Sequence, residues 1–142
     1  MNTMEKVADW CNQRGERFTP SRQLVLQLLS EQPHAVTAYQ LLDILQQQMP
    51  QAKPPTVYRA LDFLQRMGVV HRIDSQNAYL VCDDFPHRHD AAFLVCDGCG
   101  NVSEVNPDHL QFELLRKEAA DRRFVIEHTT LEVRGRCVDC QQ

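Results

Sequence analysis

The chain has 142 residues, 43% of them apolar and 24% charged, with a formal net charge of −4. That length suits one or two small domains with a buried core, and no apolar run approaches the roughly 20 residues of a membrane span. An acidic balance does not advertise nucleic-acid binding, and the opening Met-Asn-Thr-Met-Glu-Lys leads into a mixed charged segment rather than a secretory signal.

A cytoplasmic, reducing location is therefore expected, where the six cysteines point to metal rather than disulfides. The charge is uneven. Residues 1–74 carry eight Lys and Arg against seven Asp and Glu, a balance of +1, whereas residues 75–142 carry seven against twelve, a balance of −5. Any contact with nucleic acid is expected from a local basic surface of the first half.

Residues 1–67 read as helices. Ala8 to Cys11 fall in a first helix, with Gly15 near its end. Thr19-Pro20 is an N-cap followed by proline at the first helical position. The helix it opens has Leu24, Val25, Leu28 and Leu29 on one face and ends at Pro33. Thr37 and Gln40 form a capping box, and the helix beyond carries Ala38, Leu41, Leu42, Leu45 and Met49 as an apolar stripe. Pro50, Pro54 and Pro55 interrupt the chain. A fourth helix then turns Val57, Ala60, Leu61 and Leu64 inward and stops at Gly68.

Two short strands follow, Val69–Ile73 and Ala78–Cys82, joined by the polar loop Asp74-Ser75-Gln76-Asn77. Helices followed by a hairpin predict a winged helix-turn-helix. Asp83–Asp90 reads as a linker: short, polar and without periodicity. The second half reads as α+β. Ala92–Val95 and Asn101–Val105 are expected as strands, Asn106-Pro107 as the start of a helix reaching about Asp121, and Phe124–Arg134 as a long strand. The domain boundaries expected are 1–82, a hinge at 83–90, and 91–142.

Two Cys-x-x-Cys pairs stand in the second half: Cys96 with Cys99, and Cys137 with Cys140. Two residues between thiols let both sulfurs of a tight turn reach one ion, and two such turns complete a closed Cys₄ site, as structural zinc requires. Two redox dithiols or an iron–sulfur site are the competing chemistries.

In Lys53-Pro-Pro-Thr-Val-Tyr-Arg-Ala-Leu-Asp62, burial of Val57, Ala60 and Leu61 leaves Tyr58, Arg59, Asp62 and Arg66 on the surface. A recognition helix sets its N-terminal residues on base edges. Arg59 can bond a guanine twice, and Tyr58 can press its ring on a thymine methyl or bond a phosphate. Lys53 and Arg72 are placed to meet the DNA backbone, and Thr56 to orient a phosphate. Periodicity alone serves equally well for a solvated, non-binding helix face.

These motifs together resemble the ferric uptake regulator family of metal-sensing repressors: Thr19-Pro-Ser-Arg, Pro55-Thr-Val-Tyr-Arg-Ala-Leu, Cys96-Asp-Gly-Cys-Gly and Cys137-x-x-Cys140. They occur in the family's order and spacing over nearly the whole chain, and within the family they are most similar to its zinc-responsive members. The resemblance implies an N-terminal winged-helix DNA-binding domain, a C-terminal α/β dimerisation domain with the Cys₄ zinc site, and a homodimer that binds an inverted-repeat operator when metal-loaded. It places DNA contacts on Tyr58 and Arg59.

A sensor needs a metal whose ligands join two movable parts. Near the linker the candidates are His71, Cys82, His87, His89 and Asp90, with Glu104 beyond the first cysteine turn. Taken singly, His71 reads as a phosphate-facing surface residue and Cys82 as a small buried hydrophobe. The resemblance maps a regulatory site onto His71, Cys82, His89 and Glu104. One thiolate, two imidazoles and a carboxylate suit zinc, which gives two zinc ions per monomer, one structural and one regulatory.

A third site at His87 and His128 is a weaker carry-over, because the linker reads Pro86-His-Arg-His-Asp rather than a dense histidine run. His34 reads as a loop residue and Cys11 as a core residue of the first helix.

The expected function is thus zinc-responsive repression of zinc-uptake genes through double-stranded operator DNA, with no membrane and no small-molecule substrate. An iron- or peroxide-sensing regulator is the same-fold alternative, and a zinc-stapled protein-interaction module a different class. A zinc enzyme is disfavoured: catalytic zinc keeps an open position, and the His-x-Glu of nucleotide deaminases is absent.

Overall fold

The structure is a computed structural model that describes residues 2–82, Phe85, residues 90–106, Leu110 and residues 112–141. The chain divides into two compact units, Met1–Pro86 and His87–Gln142.

The first unit begins with α1 (Thr3–Gln13), capped by a reciprocal box in which Asn2 and Glu5 each accept the other's backbone N–H. α2 (Pro20–Ser30) starts where the cap-then-proline signal places it, with the Thr19 hydroxyl accepting from the Arg22 N–H. Val25, Leu26, Leu28 and Leu29 are its buried residues. The sequence reading named Leu24, which is only half-buried, and missed Leu26.

α3 (Ala38–Gln46) carries the Thr37–Gln40 box and buries Ala38, Leu41, Leu42 and Leu45. α4 (Pro54–Arg66) buries Val57, Ala60, Leu61, Phe63 and Leu64. It ends at Gly68, whose φ of +81° is the left-handed conformation that glycine adopts freely after a helix. Each leucine fully buried among these helices contributes roughly 1.5–3 kcal/mol.

A three-stranded sheet in the order β1-β3-β2 forms the wing: β1 (Val36–Thr37), β2 (Val70–Ile73) and β3 (Ala78–Val81). β2 and β3 form the expected antiparallel hairpin. β1 was not anticipated. It has two residues, Val36 opposite Tyr79 and Thr37 opposite Ala78, and leaves only a β-branched pair before a helix cap as its sequence signal.

The second unit has the order β5-β4-β6, with β4 (Asp90–Cys96) central, β5 (Val102–Val105) antiparallel to it and β6 (Thr129–Gly135) parallel to it. α5 (Glu113–Asp121) joins β5 to β6.

Two expectations need correction. The helix that reaches Asp121 begins at Glu113 with Phe112 as its N-cap, and Leu110 is a bend, so it does not run unbroken from Asn106-Pro107; residues 107–109, where that start was expected, lie outside the described residues. The helix forms on Glu113-Leu-Leu-Arg-Lys-Glu-Ala-Ala, a run of strong helix formers. Likewise β6 starts at Thr129 rather than Phe124. Thr129 is opposite Asp90, the first residue of β4, so the preceding residues have no stretch of β4 to pair with.

The buried side chains of the second unit come from β4 alone among the described residues: Ala91, Ala92, Phe93, Val95 and Cys96. α5 has no buried residue among those described. Leu94, Leu131 and Val133 are exposed, and the register of β4 against β6 puts them on one face of the sheet. None of the described helices is long and apolar enough to cross a membrane.

Candidate metal centres and nucleic-acid interface

Both cysteine pairs occupy turns set by the second sheet. Cys96 is the last residue of β4 and is opposite Gly135 at the end of β6. The amide of Gly100 donates to the Cys96 carbonyl at 2.9 Å, and that of Asp97 to the Gly135 carbonyl at 2.8 Å. The second turn closes with the Cys140 amide on the Cys137 carbonyl at 3.0 Å, around a single 3₁₀ turn over Val138–Cys140. Arg134 and Asp97 form an ion pair at 2.9 Å between the strand that enters one turn and the loop of the other.

The four thiols Cys96, Cys99, Cys137 and Cys140 converge, all within 4.8 Å of one another. The sulfurs of Cys99 and Cys137 are 3.8 Å apart. Four sulfurs at about 2.3 Å from a zinc ion stand at the corners of a tetrahedron with edges of about 3.8 Å. The spacing therefore fits zinc, and four protein ligands leave no open position.

Two backbone amides point at one sulfur: Cys137 N–H at 3.3 Å and Cys99 N–H at 3.5 Å from Cys96 Sγ. These donors, that of Cys137 foremost, hold the Cys96 thiol down to about 6. Cys140 is pushed up to about 12, first by the Cys137 thiol and then by Cys96. Crowded sulfurs resist shedding their protons together unless a cation compensates the charge, which is the donor chemistry of a soft divalent metal.

The first unit holds a second pair of ligand types. His71 lies on β2 opposite Leu80, and Cys82 follows β3 with its amide donating to the Val69 carbonyl at 2.8 Å. This register makes His71 and Cys82 diagonal neighbours on one face of the hairpin, with their ligand atoms within 4.8 Å of each other. Both are buried, and His71 is the buried polar side chain among the described residues. The reading of His71 as a surface residue facing phosphate does not survive this burial. Glu104 is half-buried on β5 of the second unit, opposite Phe93. His89 lies outside the described residues.

Of the weaker third-site candidates, His87 also lies outside the described residues. His128 is exposed just before β6. Asp90 is engaged by Arg116 at 3.2 Å. His34 is an exposed loop residue, and Cys11 is fully buried in the helical core.

The surface expected to read DNA is the N-terminal half of α4. Lys53, Tyr58, Arg59 and Asp62 are exposed, and Thr56 is half-buried. The Thr56 hydroxyl accepts from the Lys53 N–H at 3.2 Å and its amide donates to the Lys53 carbonyl at 2.9 Å, so Thr56 closes the cap of this helix.

Two basic residues named from sequence are engaged elsewhere. Arg66 pairs with Glu16 at 2.9 Å, and Arg72 donates to the Asn77 side chain at 2.8 Å and lies near Asp74. The sequence reading also missed Phe63, buried beneath the guanidiniums of Arg22 and Arg66 at 3.8 and 5.5 Å from its ring centre.

A winged helix-turn-helix followed by a second unit stapled at two cysteine turns defines a class of DNA-binding regulator. The chain belongs to the ferric uptake regulator family, whose model matches residues 13–134. It is 44% identical to the zinc uptake regulation protein of Escherichia coli K12 over 131 residues, covering 92% of this chain and 76% of that one. Among solved structures it is similar to a zinc uptake regulator complexed with zinc and DNA, with a TM-score of 0.88, 41% identity and coverage of 99% and 96%. It is also similar to the crystal structure of holo XcZur, with a TM-score of 0.81, 36% identity and coverage of 96% and 95%.

Proposed function

We propose that this chain is a zinc-responsive transcriptional repressor that binds inverted-repeat operator DNA as a homodimer and switches off zinc-uptake genes in the cytoplasm. In this reading residues 1–82 read DNA, residues 83–90 are the hinge and residues 91–142 form the dimer. The structural ion sits on Cys96, Cys99, Cys137 and Cys140. The regulatory ion takes His71 and Cys82 from the wing, with His89 and Glu104 completing its ligands. Lys53, Thr56, Tyr58 and Arg59 serve the DNA: Arg59 on base edges, Tyr58 on a base or phosphate, and Lys53 and Thr56 near the backbone.

The observation that carries this reading is the buried His71–Cys82 pair in the wing of a DNA-reading unit. A thiolate beside an imidazole favours zinc over iron or manganese, which prefer nitrogen and oxygen donors. Kinship with zinc uptake regulators points the same way. The exposed apolar face of Leu94, Leu131 and Val133 supports dimerisation through the second unit, because a thin sheet of this kind buries more apolar surface against a copy of itself.

Zinc acts by differential affinity. Ligands drawn from two parts of the chain bind an ion tightly only in the arrangement that brings them together, so zinc raises the population of that arrangement. The regulatory role lies in this equilibrium and involves no covalent chemistry, as befits a regulator rather than an enzyme.

Mobility shift on inverted-repeat DNA, selected from a random library with zinc-loaded protein, tests the proposal. Binding is expected to rise with buffered free zinc and to respond weakly to ferrous iron and manganese. A response to iron or peroxide instead of zinc would assign the chain to the other sensing class, and failure to retain any inverted repeat would favour a protein-interaction module.

A further inference from the structure

Trp10, the chain's one tryptophan, joins three parts of the first unit. Its indole Nε1 donates to the carbonyl of Met67, the C-cap residue of α4, at 2.9 Å. Arg66, the last residue of α4, pairs with Glu16 just beyond α1 at 2.9 Å. α1 is thus tied twice to the C-terminal end of the helix that reads DNA. The Arg14 guanidinium carbon stands 3.0 Å from the centre of the Trp10 ring.

The ring of Phe85 meets Trp10 edge-on, with centroids 5.6 Å apart and planes at 80°. Phe85 packs against the helical core and stands one residue before the end of the unit at Pro86. It follows Cys82 by three residues, and the Cys82 amide is bonded to Val69. The chain leaving the wing is therefore held twice, by a ladder hydrogen bond at Cys82 and by an aromatic contact at Phe85. This contact ties Phe85 to Trp10 of α1, and through the Trp10–Met67 hydrogen bond to the end of α4.

We propose that Trp10 and Phe85 form a clasp that sets the direction in which the chain leaves the DNA-reading unit, which makes them positioning residues for binding an operator of two half-sites. This rests on the reading of the chain as a zinc-dependent dimeric repressor. A dimer on two half-sites needs both recognition helices at one spacing. Freeing the exit widens the range of orientations each reader samples, and the full operator bears that entropy. One half-site requires no fixed spacing and does not.

The test uses full-length zinc-loaded protein and the selected inverted repeat, alongside DNA bearing one half-site. Phe85→Ala is expected to lower affinity for the full repeat by about three- to ten-fold, the range of an aromatic pair. Half-site affinity should stay within about two-fold, and Phe85→Tyr should restore full binding. Equal weakening on both DNAs would reduce the contact to a structural one, and unchanged binding to the full repeat would remove the clasp altogether. Should Phe85→Ala melt at working temperature, Trp10→Phe, which keeps a ring and deletes the Met67 hydrogen bond, is judged by the same ratio of affinities. If wild-type protein binds no inverted repeat in zinc, the proposed function fails and the clasp with it. If wild type binds and both variants match it, the clasp alone fails.

Discussion

Gly98 faces Cys140 so closely that a β-carbon there would lie 2.8 Å from the Cys140 sulfur and 3.0 Å from its β-carbon. No real side chain tolerates such a contact, and the cysteine sulfur cannot swing away without leaving the cluster. Glycine between the first two cysteines is a packing requirement of the four-thiol site, because the two turns interlock. Gly98→Ala is expected to destabilise the zinc-loaded second unit by about 1–3 kcal/mol, as overpacking does, and to speed zinc loss to a chelator. Zinc release followed with a chromogenic chelator checks this, and wild-type kinetics would show that the turns can separate.

Removing a thiol from that cluster has a different consequence from removing one in the wing. Cys96→Ser or Cys137→Ser leaves three sulfurs and breaks a closed site whose binding energy is folding energy. Among its described residues the second unit buries side chains of β4 alone. Both variants are expected to lose the folded dimer, as sedimentation velocity would record. A dimer of normal mass and melting temperature would contradict the structural role.

Cys82→Ser and His71→Ala are expected to keep the dimer and the thiol-bound ion while losing most of the zinc response on operator DNA. The hairpin itself tolerates Cys82→Ser, a near-isosteric change at a position whose backbone supplies the ladder bond to Val69. A zinc titration by mobility shift that matches wild type for Cys82→Ser would remove Cys82 from the regulatory ligands.

Arg59→Ala is expected to lose roughly 1–3 kcal/mol of affinity for the operator, the value of a bidentate base contact, with far smaller loss on random DNA. Tyr58→Phe separates a hydroxyl bond to phosphate from ring packing on a methyl group, since only the former disappears. Fluorescence anisotropy with specific and random duplexes measures both. Equal loss on the two DNAs would move Arg59 from base to phosphate.

Features that depend on neighbouring residues were legible in the sequence. Thr19-Pro20 and the Thr37–Gln40 box each mark a helix start, because capping spans one turn. The hairpin over Val70–Val81 was legible from its alternation and polar loop. The cysteine turns were legible because two-residue spacing is itself the metal geometry.

What depends on distant partners was not legible. The parallel pairing of β4 with β6, and hence the true start of β6 at Thr129, follows from where Asp90 begins its strand. The two residues of β1 gain their structure from Tyr79 and Ala78. The diagonal placement of His71 and Cys82 is the register of two strands, which pattern suggests but does not fix.

The central claim is that the chain carries one ion to fold and another to sense. Zinc per monomer, measured by mass spectrometry of the metal before and after dialysis against a mild chelator, tests it most directly when operator binding is followed on the same samples. The account predicts two zinc ions falling to one, with the dimer intact and operator binding lost. A single ion throughout, or operator binding unchanged after the second ion departs, would contradict it.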